Sequence, residues 1–345
     1  MKSMIRERFA PAIRVSLWLG VCVASTPAAR ADGPQRIPSI FAPASTPAHS
    51  IFGLSMFVLT ITGGIFLVVG GLLAFALVRF RARDDDDTSE PPQIYGSTQV
   101  ELAWTVIPIL IVVVLFLTTA RIIFAIQDAP KPKDALDVTV VGHQFWWEFR
   151  YPKLGIVTAN ELHVPVGSAT YLHLLSADVD HSFWVPQLAG KTDLIPNHPN
   201  ETWMDPQQTG LYVGQCAQFC GVEHAKMLLR VYVETPEQFA AWVKEQQEPG
   251  AQEEQAAAGR HIFETEACTN CHRIAGTAAN GTFGPDLTHL MSRATIASGA
   301  AMNTPQDLHD WIQNPDHVKP GALMPAMQLG DQQIDELVAY LTTLH

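Results

Sequence analysis

Two stretches without a single charged residue limit what this chain can fold into. Residues 51–78 are apolar or small throughout, and residues 102–120 are again uncharged. Arg121 interrupts the second run, which extends to about residue 124, only near its far end. A helix needs roughly 20 such residues to cross the hydrocarbon core of a bilayer, and an arginine near the end of a span reaches back to the interface with its long side chain. Core helices of soluble proteins are shorter, and they are not followed by a cluster such as Arg79, Arg81 and Arg83. These arginines predict a cytoplasmic connecting loop over 79–100, with both ends of the hairpin facing outward. Within that loop the acidic run 84–87 reads as solvated charge. Glu101, at the cytoplasmic mouth of the second span, reads either as an interfacial anchor or as a proton-uptake group.

The amino terminus agrees with this orientation. Lys2, Arg6 and Arg8 precede an apolar run over 15–24, and Ala29-Arg30-Ala31 offers the small residues that a signal peptidase requires. Residues 1–31 are therefore expected to be removed, and Cys22 with them. Their loss takes away five basic groups and one acidic group, moving the formal net charge from -12 to -16. A chain this acidic repels nucleic acid and steers basic protein partners. Cys216, Cys220, Cys268 and Cys271 remain, and each pair sits in a short motif with a chemistry other than a structural disulfide.

From 134 to 234 the texture changes to short β-branched and aromatic runs separated by Pro, Gly and Asn. Strands are expected at 137–141, 145–151, 161–164, 170–175, 210–215 and 228–233. Short strands at this spacing predict a β-sandwich of about a hundred residues. The loops at one end of a sandwich can hold a metal on a scaffold too stiff to rearrange when the metal changes oxidation state. The domain boundaries that follow are 32–128 for the amino-terminal segment and hairpin, 129–241 for the β-domain and 258–345 for a third domain. Residues 242–257, Gln/Glu-rich with Pro249-Gly250, read as a linker.

The chemistry concentrates at Cys216-Ala-Gln-Phe-Cys220-Gly-Val-Glu-His224-Ala-Lys-Met227. Thiolate, imidazole and thioether are the ligands of electron-transferring copper, whereas zinc would rarely use the Met. One copper would be over-supplied with sulfur. Two coppers bridged by both thiolates could each take one His and one weak axial ligand, with Met227 on one and the backbone carbonyl of Gln218 on the other. The second imidazole would come from His181, thirty-five residues before Cys216.

Downstream, Cys268-Thr-Asn-Cys271-His272 is the C-x-x-C-H pattern of covalent c-type haem attachment. Thioether bonds would form from Cys268 and Cys271, with His272 binding iron from one side. A redox disulfide or half a zinc site would use the same cysteines, but an exported chain with a His after the second Cys favours haem. Methionine opposite the His raises the potential of a carrier. Met324 is the candidate, with Met327 its rival ahead of Met302 and Met291. Helical patterns at 252–265, 305–314 and 331–344 predict a small all-α domain built around the haem.

With these motifs in place, the chain resembles subunit II of haem-copper cytochrome c oxidases in the form with a fused carboxy-terminal cytochrome c domain, usually called caa3-type. The resemblance rests on the hairpin with Glu101-Leu-Ala-Trp104-Thr-Val-Ile-Pro, on Gly142-His-Gln-Phe-Trp-Trp147, on the stretch 178–193, on the thiol motif and on the haem domain. It implies a transmembrane hairpin, a cupredoxin-like β-sandwich and a class I cytochrome c domain. It further implies a binuclear copper centre, CuA, bound by His181, Cys216, the Gln218 carbonyl, Cys220, His224 and Met227. Glu101 matches the acid that opens a proton-uptake path into the catalytic subunit. Two positions depart from the family pattern. Gln218 replaces a Glu that helps bind magnesium, which puts a magnesium ion in doubt. Phe145 stands where mitochondrial-type relatives carry the Trp that receives electrons from soluble cytochrome c, and Trp146 or Trp147 could line a new route.

The expected function is that of the subunit through which electrons enter a terminal oxidase. An external donor such as a cytochrome c would reduce haem c, then CuA, then haem in subunit I. There, beside CuB, oxygen is reduced and protons are pumped. Subunit III and membrane lipid complete the expected partners, and both soluble domains are expected on the periplasmic, outer side of a bacterial inner membrane. The alternatives are a CuA subunit of a nitric oxide reductase and a membrane-tethered redox carrier or copper-delivery protein. A nitrous oxide reductase would lack the hairpin and the C-x-x-C-H domain.

Overall fold

The computed structural model describes residues 39–81, 93, 95–250 and 256–345. The expected leader over 1–31, the acidic run 84–87 and residues 251–255 of the expected linker lie outside the described residues.

Two long helices come first, α1 (Thr46–Arg79) and α2 (Thr98–Gln127), each beginning a few residues before the uncharged stretch that predicts it. Ser45 explains the early start of α1: its hydroxyl accepts from the Ala48 amide, and Pro47 occupies the first turn, where its missing N–H costs nothing. Pro108 lies inside α2. The most apolar stretch of each helix is wholly unburied. A helix apolar on every side and covered by nothing requires lipid or another protein around it. The start of α1 and the end of α2 are both tied to the β-domain. Ala44 N donates to Gln187 O at 2.8 Å and Thr46 N to Asp205 Oδ1 at 2.7 Å, while Trp203 Nε1 donates to Ile126 O at 2.8 Å. Both ends of the hairpin therefore emerge on the side that carries the β-domain.

The β-domain is a cupredoxin-like sandwich. Its strands are β1 (Leu136–His143), β2 (Trp146–Tyr151), β3 (Ile156–Ala159), β4 (Glu161–Pro165), β5 (Thr170–Ser176), β6 (His181–Trp184), β7 (Thr192–Leu194), β8 (Asn200–Met204), β9 (Gly210–Cys216) and β10 (Leu228–Glu234). One sheet runs β3-β2-β1-β5-β8 and the other β4-β10-β9-β6-β7, with β1–β5 and β4–β10 parallel and the other pairs antiparallel. The six expected strands are present with ends shifted by a residue or two, whereas β3, β6, β7 and β8 have no counterpart among the expected ones. Alternate residues point inward: Val138, Val140, Trp147 and Phe149 from one sheet meet Leu162, Phe183, Leu229 and Val231 from the other.

The expected linker begins too early. Helix α3 (Pro236–Gln247) starts with a capping box between Thr235 and Gln238 and carries Trp242 into the sandwich core, where its ring lies 5.3 Å from Tyr151 and 4.4 Å from His163. Residues 242–247 are thus part of the β-domain. Their polar residues cover the outer face of an amphipathic helix whose inner face needs only Phe239, Trp242 and Val243.

The third domain is helical: α4 (Ala257–Thr265), α5 (Cys268–Cys271), α6 (Pro305–Gln313), α7 (Pro315–Val318) and α8 (Asp331–Leu341). Helices α4 and α8 cross so closely that a Cβ at Gly259 would clash with the Glu336 carbonyl oxygen. Between α5 and α6 a two-residue-per-arm hairpin, β11 (Thr295–Ile296) and β12 (Ala301–Met302), reaches over to the β-domain. Ser298, at its tip, donates to Leu228 O at 2.8 Å, and Arg230 Nη1 donates to Thr295 Oγ1 at 2.7 Å.

Candidate metal centres

The sulfur motif is placed by two strands and a turn. β9 ends on Cys216, a short helical turn spans His224–Lys226, and β10 resumes at Leu228, so the loop between paired strands folds back on itself. β6 lies beside β9 and starts with His181. The result gathers every sequence-predicted copper ligand. Cys216 Sγ lies 3.9 Å from Cys220 Sγ, 3.9 Å from His181 Nδ1 and 3.1 Å from the Gln218 carbonyl oxygen. Cys220 Sγ lies 3.7 Å from His224 Nδ1 and 3.8 Å from Met227 Sδ. The two thiols are free. Six donor atoms of the kinds that copper prefers thus lie within 3.9 Å of one or other of the two cysteine sulfurs, with His181, Cys216 and Cys220 mutually within 4.8 Å, and the donor set fits the group it predicts.

The electrostatics favour one deprotonated thiol in the pair. Cys216 is pushed well down, first by its hydrogen bond with Cys220 and further by His181, and its thiolate, together with burial, pushes Cys220 up. A single negative charge is therefore shared by the pair until a cation arrives. His181 is fully buried. Burial alone would lower its pKa, but Asp178 and Cys216 outweigh this and raise it. Asp178 Oδ1 sits 2.8 Å from His181 Nε2, which fixes that nitrogen as the proton carrier and leaves Nδ1 facing the sulfurs. Asp178 also accepts from the Gln144 amide at 2.6 Å, and Gln144 Nε2 donates to the Cys220 carbonyl at 2.6 Å. These positioning roles of Asp178 and Gln144 have no signature in the sequence, because nothing in a pattern distinguishes an orienting carboxylate from a solvated one.

A cavity of about 290 Å³ occupies the third domain, lined by Cys268, Cys271, His272, Met324 and Met327 among others. His272 Nδ1 lies 2.9 Å from the Pro285 carbonyl, which leaves Nε2 free to act as a ligand, and burial pushes the imidazole pKa down towards the neutral, metal-binding form. Gly284 makes room for the ring: a Cβ there would lie 2.6 Å from His272 Cε1. A largely apolar lining that includes two thiols and an imidazole suits a covalently held haem. Of the four methionines considered, Met324 and Met327 line the cavity. Met291 packs against the domain core and Met302 is 40% exposed.

Residues of the β-domain close the same cavity: Gln144, Phe145, Trp146 and Asn160. The Trp pair divides between the two sites. Trp146 lines the cavity of the third domain, and its ring stacks 4.2 Å from His143. Trp147 is fully buried, 6.1 Å from the His181 ring, and its Nε1 donates to the Met227 carbonyl at 3.4 Å. Phe145 reaches both, since a Cβ at Gly221 would lie 2.9 Å from its ring edge. Glu101 is remote from either site, in the first turn of α2, with its carboxylate folded back over Gly96.

Comparison with known proteins covers each part of this architecture. The family model described as cytochrome c oxidase subunit II, transmembrane domain, matches residues 34–122, that of the periplasmic domain matches residues 155–234, and that of cytochrome c matches residues 256–345. The chain is 32% identical to cytochrome c oxidase subunit 2 of Alkalihalophilus pseudofirmus over 98% of this chain and 97% of that one. It is 35% identical to the protein of the same name from Bacillus sp. PS3, over 77% of this chain and 80% of the relative. A crystal structure of the periplasmic domain of subunit II of cytochrome oxidase from Bradyrhizobium japonicum is 32% identical over 34% of this chain and 96% of that domain, with a TM-score of 0.33. Hairpin, copper-site sandwich and cytochrome domain thus occur in one chain aligned almost from end to end with the Alkalihalophilus pseudofirmus protein, and the chain belongs to the cytochrome c oxidase subunit 2 family, in the form that carries a cytochrome c domain.

Proposed function

We propose that this chain is the subunit through which electrons enter a terminal respiratory oxidase, with a binuclear CuA centre held by His181, Cys216, the Gln218 carbonyl, Cys220, His224 and Met227. A haem c would be held by Cys268, Cys271, His272 and Met324. When bound, haem and copper supply one-electron relays, carrying electrons from an external donor towards haem in subunit I for oxygen reduction coupled to proton pumping. What carries this reading is the convergence of six copper-type donors beside a cavity that the β-domain itself helps to enclose.

The chain's own residues hold these groups still. The Cys216 and Cys220 thiols and the His181 and His224 imidazoles would hold the copper, and Asp178 fixes the His181 ring so that its Nδ1 stays turned towards the sulfurs. Phe145 and Trp146 line the cavity, and the Phe145 ring also packs against Gly221 beside Cys220, which places an aromatic side chain in contact with both sites. Trp147 backs the copper ligands from inside the sandwich. Gln218 is exposed and its side chain is neutral, which weakens any magnesium site at this loop. Glu101 would serve as the mouth of a proton path into subunit I. Subunit III is a further expected partner, and both soluble domains would lie on the periplasmic side.

Metal analysis and spectroscopy on the full chain, produced with haem-attachment machinery, test this. The expected result is two coppers per covalent haem, with one unpaired electron shared by both coppers. Met324→Ala is expected to abolish the methionine–iron absorption band while Met327→Ala leaves it. Mononuclear copper, or zinc in its place, would overturn the assignment.

A further inference from the structure

The largest unexplained feature lies where the two soluble domains meet. Lys319 belongs to the cytochrome domain, five residues before Met324, yet it is 3% exposed and points into the β-domain. Its ammonium donates to the Phe145 carbonyl at 2.8 Å and to the Ala297 carbonyl at 3.2 Å. A buried lysine is costly unless it is paired and hydrogen-bonded. Here burial pushes its pKa down to about 8, with the nearby Glu223 carboxylate opposing the drop, so the side chain still carries its charge at neutral pH.

Two chains of contact leave its partner. The Phe145 ring packs against Gly221, directly after Cys220, and Gln144, the residue before Phe145, holds the Cys220 carbonyl through its side chain. Gly321 adds a second point of close approach, since a Cβ there would clash with the Val222 side chain. The segment that carries the candidate haem ligand Met324 thus grips the loop that carries a copper ligand.

We propose that Lys319 is a positioning residue that couples the two metal sites: it holds the Gln144–Phe145 loop against Cys220–Gly221 and supplies a fixed positive charge beside the copper loop. The inference rests on the two-centre reading above. A fixed cation favours the centre with one more electron, and a fixed loop keeps Phe145 packed between the sites. No bond forms or breaks; one electron leaves the haem iron and one arrives at the copper pair.

The test uses the full chain within its oxidase complex, reduced by a flash-excited ruthenium probe, comparing wild type with Lys319→Met and Lys319→Gln. Copper and haem content are measured first, and a wild-type chain without both centres counts against the proposed function and not against this inference. With both centres loaded, Lys319→Met is expected to lower the copper midpoint potential and to slow haem-to-copper transfer by about tenfold, the loss typical of a removed orienting partner. Lys319→Gln keeps an N–H donor without the charge, so it is expected to reproduce the lower potential and recover part of the rate. Should Lys319→Met fail to load, the potential of Lys319→Gln decides. Unchanged potential and rate in loaded variants would overturn the proposal, leaving Lys319 a hydrogen-bond donor of the domain seam only.

Discussion

A neutral imidazole binds metal through whichever nitrogen its other partner leaves free. At His181 that choice belongs to Asp178, 2.8 Å from Nε2, and the same carboxylate ties down the Gln144 amide. Asp178→Ala is therefore expected to weaken copper retention by about 10–100-fold in competition with a chelator. Asp180→Ala, closer in sequence but without a bond to the ring, is expected to have little effect. Equal losses in both variants would mean that loop charge, and not ring orientation, sets the affinity. The candidate ligands can be proposed from the sequence because Cys, His and Met at this spacing seldom come together except to hold a soft metal. Asp178 cannot, because its role depends on a strand pairing that brings residue 181 beside residue 216.

At the level of elements, legibility follows the strength of local pattern. The uncharged runs specify α1 and α2, and the β-branched runs specify six strands. By contrast β7 and β8, with Thr192, Asn200 and Glu201 among few apolar residues, are strands only because β6 and β5 offer partners to bond. Residues 242–247, the second half of α3, read as linker in the sequence because polar residues outnumber apolar ones there. Their core side chain gives a measurable distinction. Trp242 is 8% exposed and packed against the rings of Tyr151, His163 and Phe239, so Trp242→Ala is expected to destabilise the β-domain by about 3–5 kcal/mol in denaturant unfolding. A true linker residue would cost close to nothing.

At the scale of the whole molecule, the seam between β-domain and cytochrome domain is built from charged groups that are hidden from water. Glu161 on β4 is 2% exposed, and its Oε1 accepts from the amides of Ala294 at 2.9 Å and Thr295 at 3.3 Å; Arg230 and Arg293 are buried nearby. No sequence pattern announces this, since Glu161, Arg230 and Arg293 come from three separate stretches of the chain. Burial raises the Glu161 pKa above its ordinary value of 4.5, and His163, Arg293 and Arg230 only partly offset the rise. A raised carboxyl binds its proton more tightly in the folded state than in the unfolded one. Its contribution to stability is thus fully present below pH 4.5 and is lost as pH rises through the folded pKa. Glu161→Gln keeps an oxygen acceptor for the two amides and cannot ionise, so it lacks this loss. Thermal unfolding of the full chain between pH 4.5 and about 7.5 is expected to show wild type losing ground to Glu161→Gln as pH rises. Parallel curves would mean that Arg230 and Arg293 fully compensate the buried carboxylate. The same comparison read at the Ala294 and Thr295 amides by hydrogen exchange separates opening of the seam from unfolding of either domain, because those two amides lose their acceptor only when the domains part.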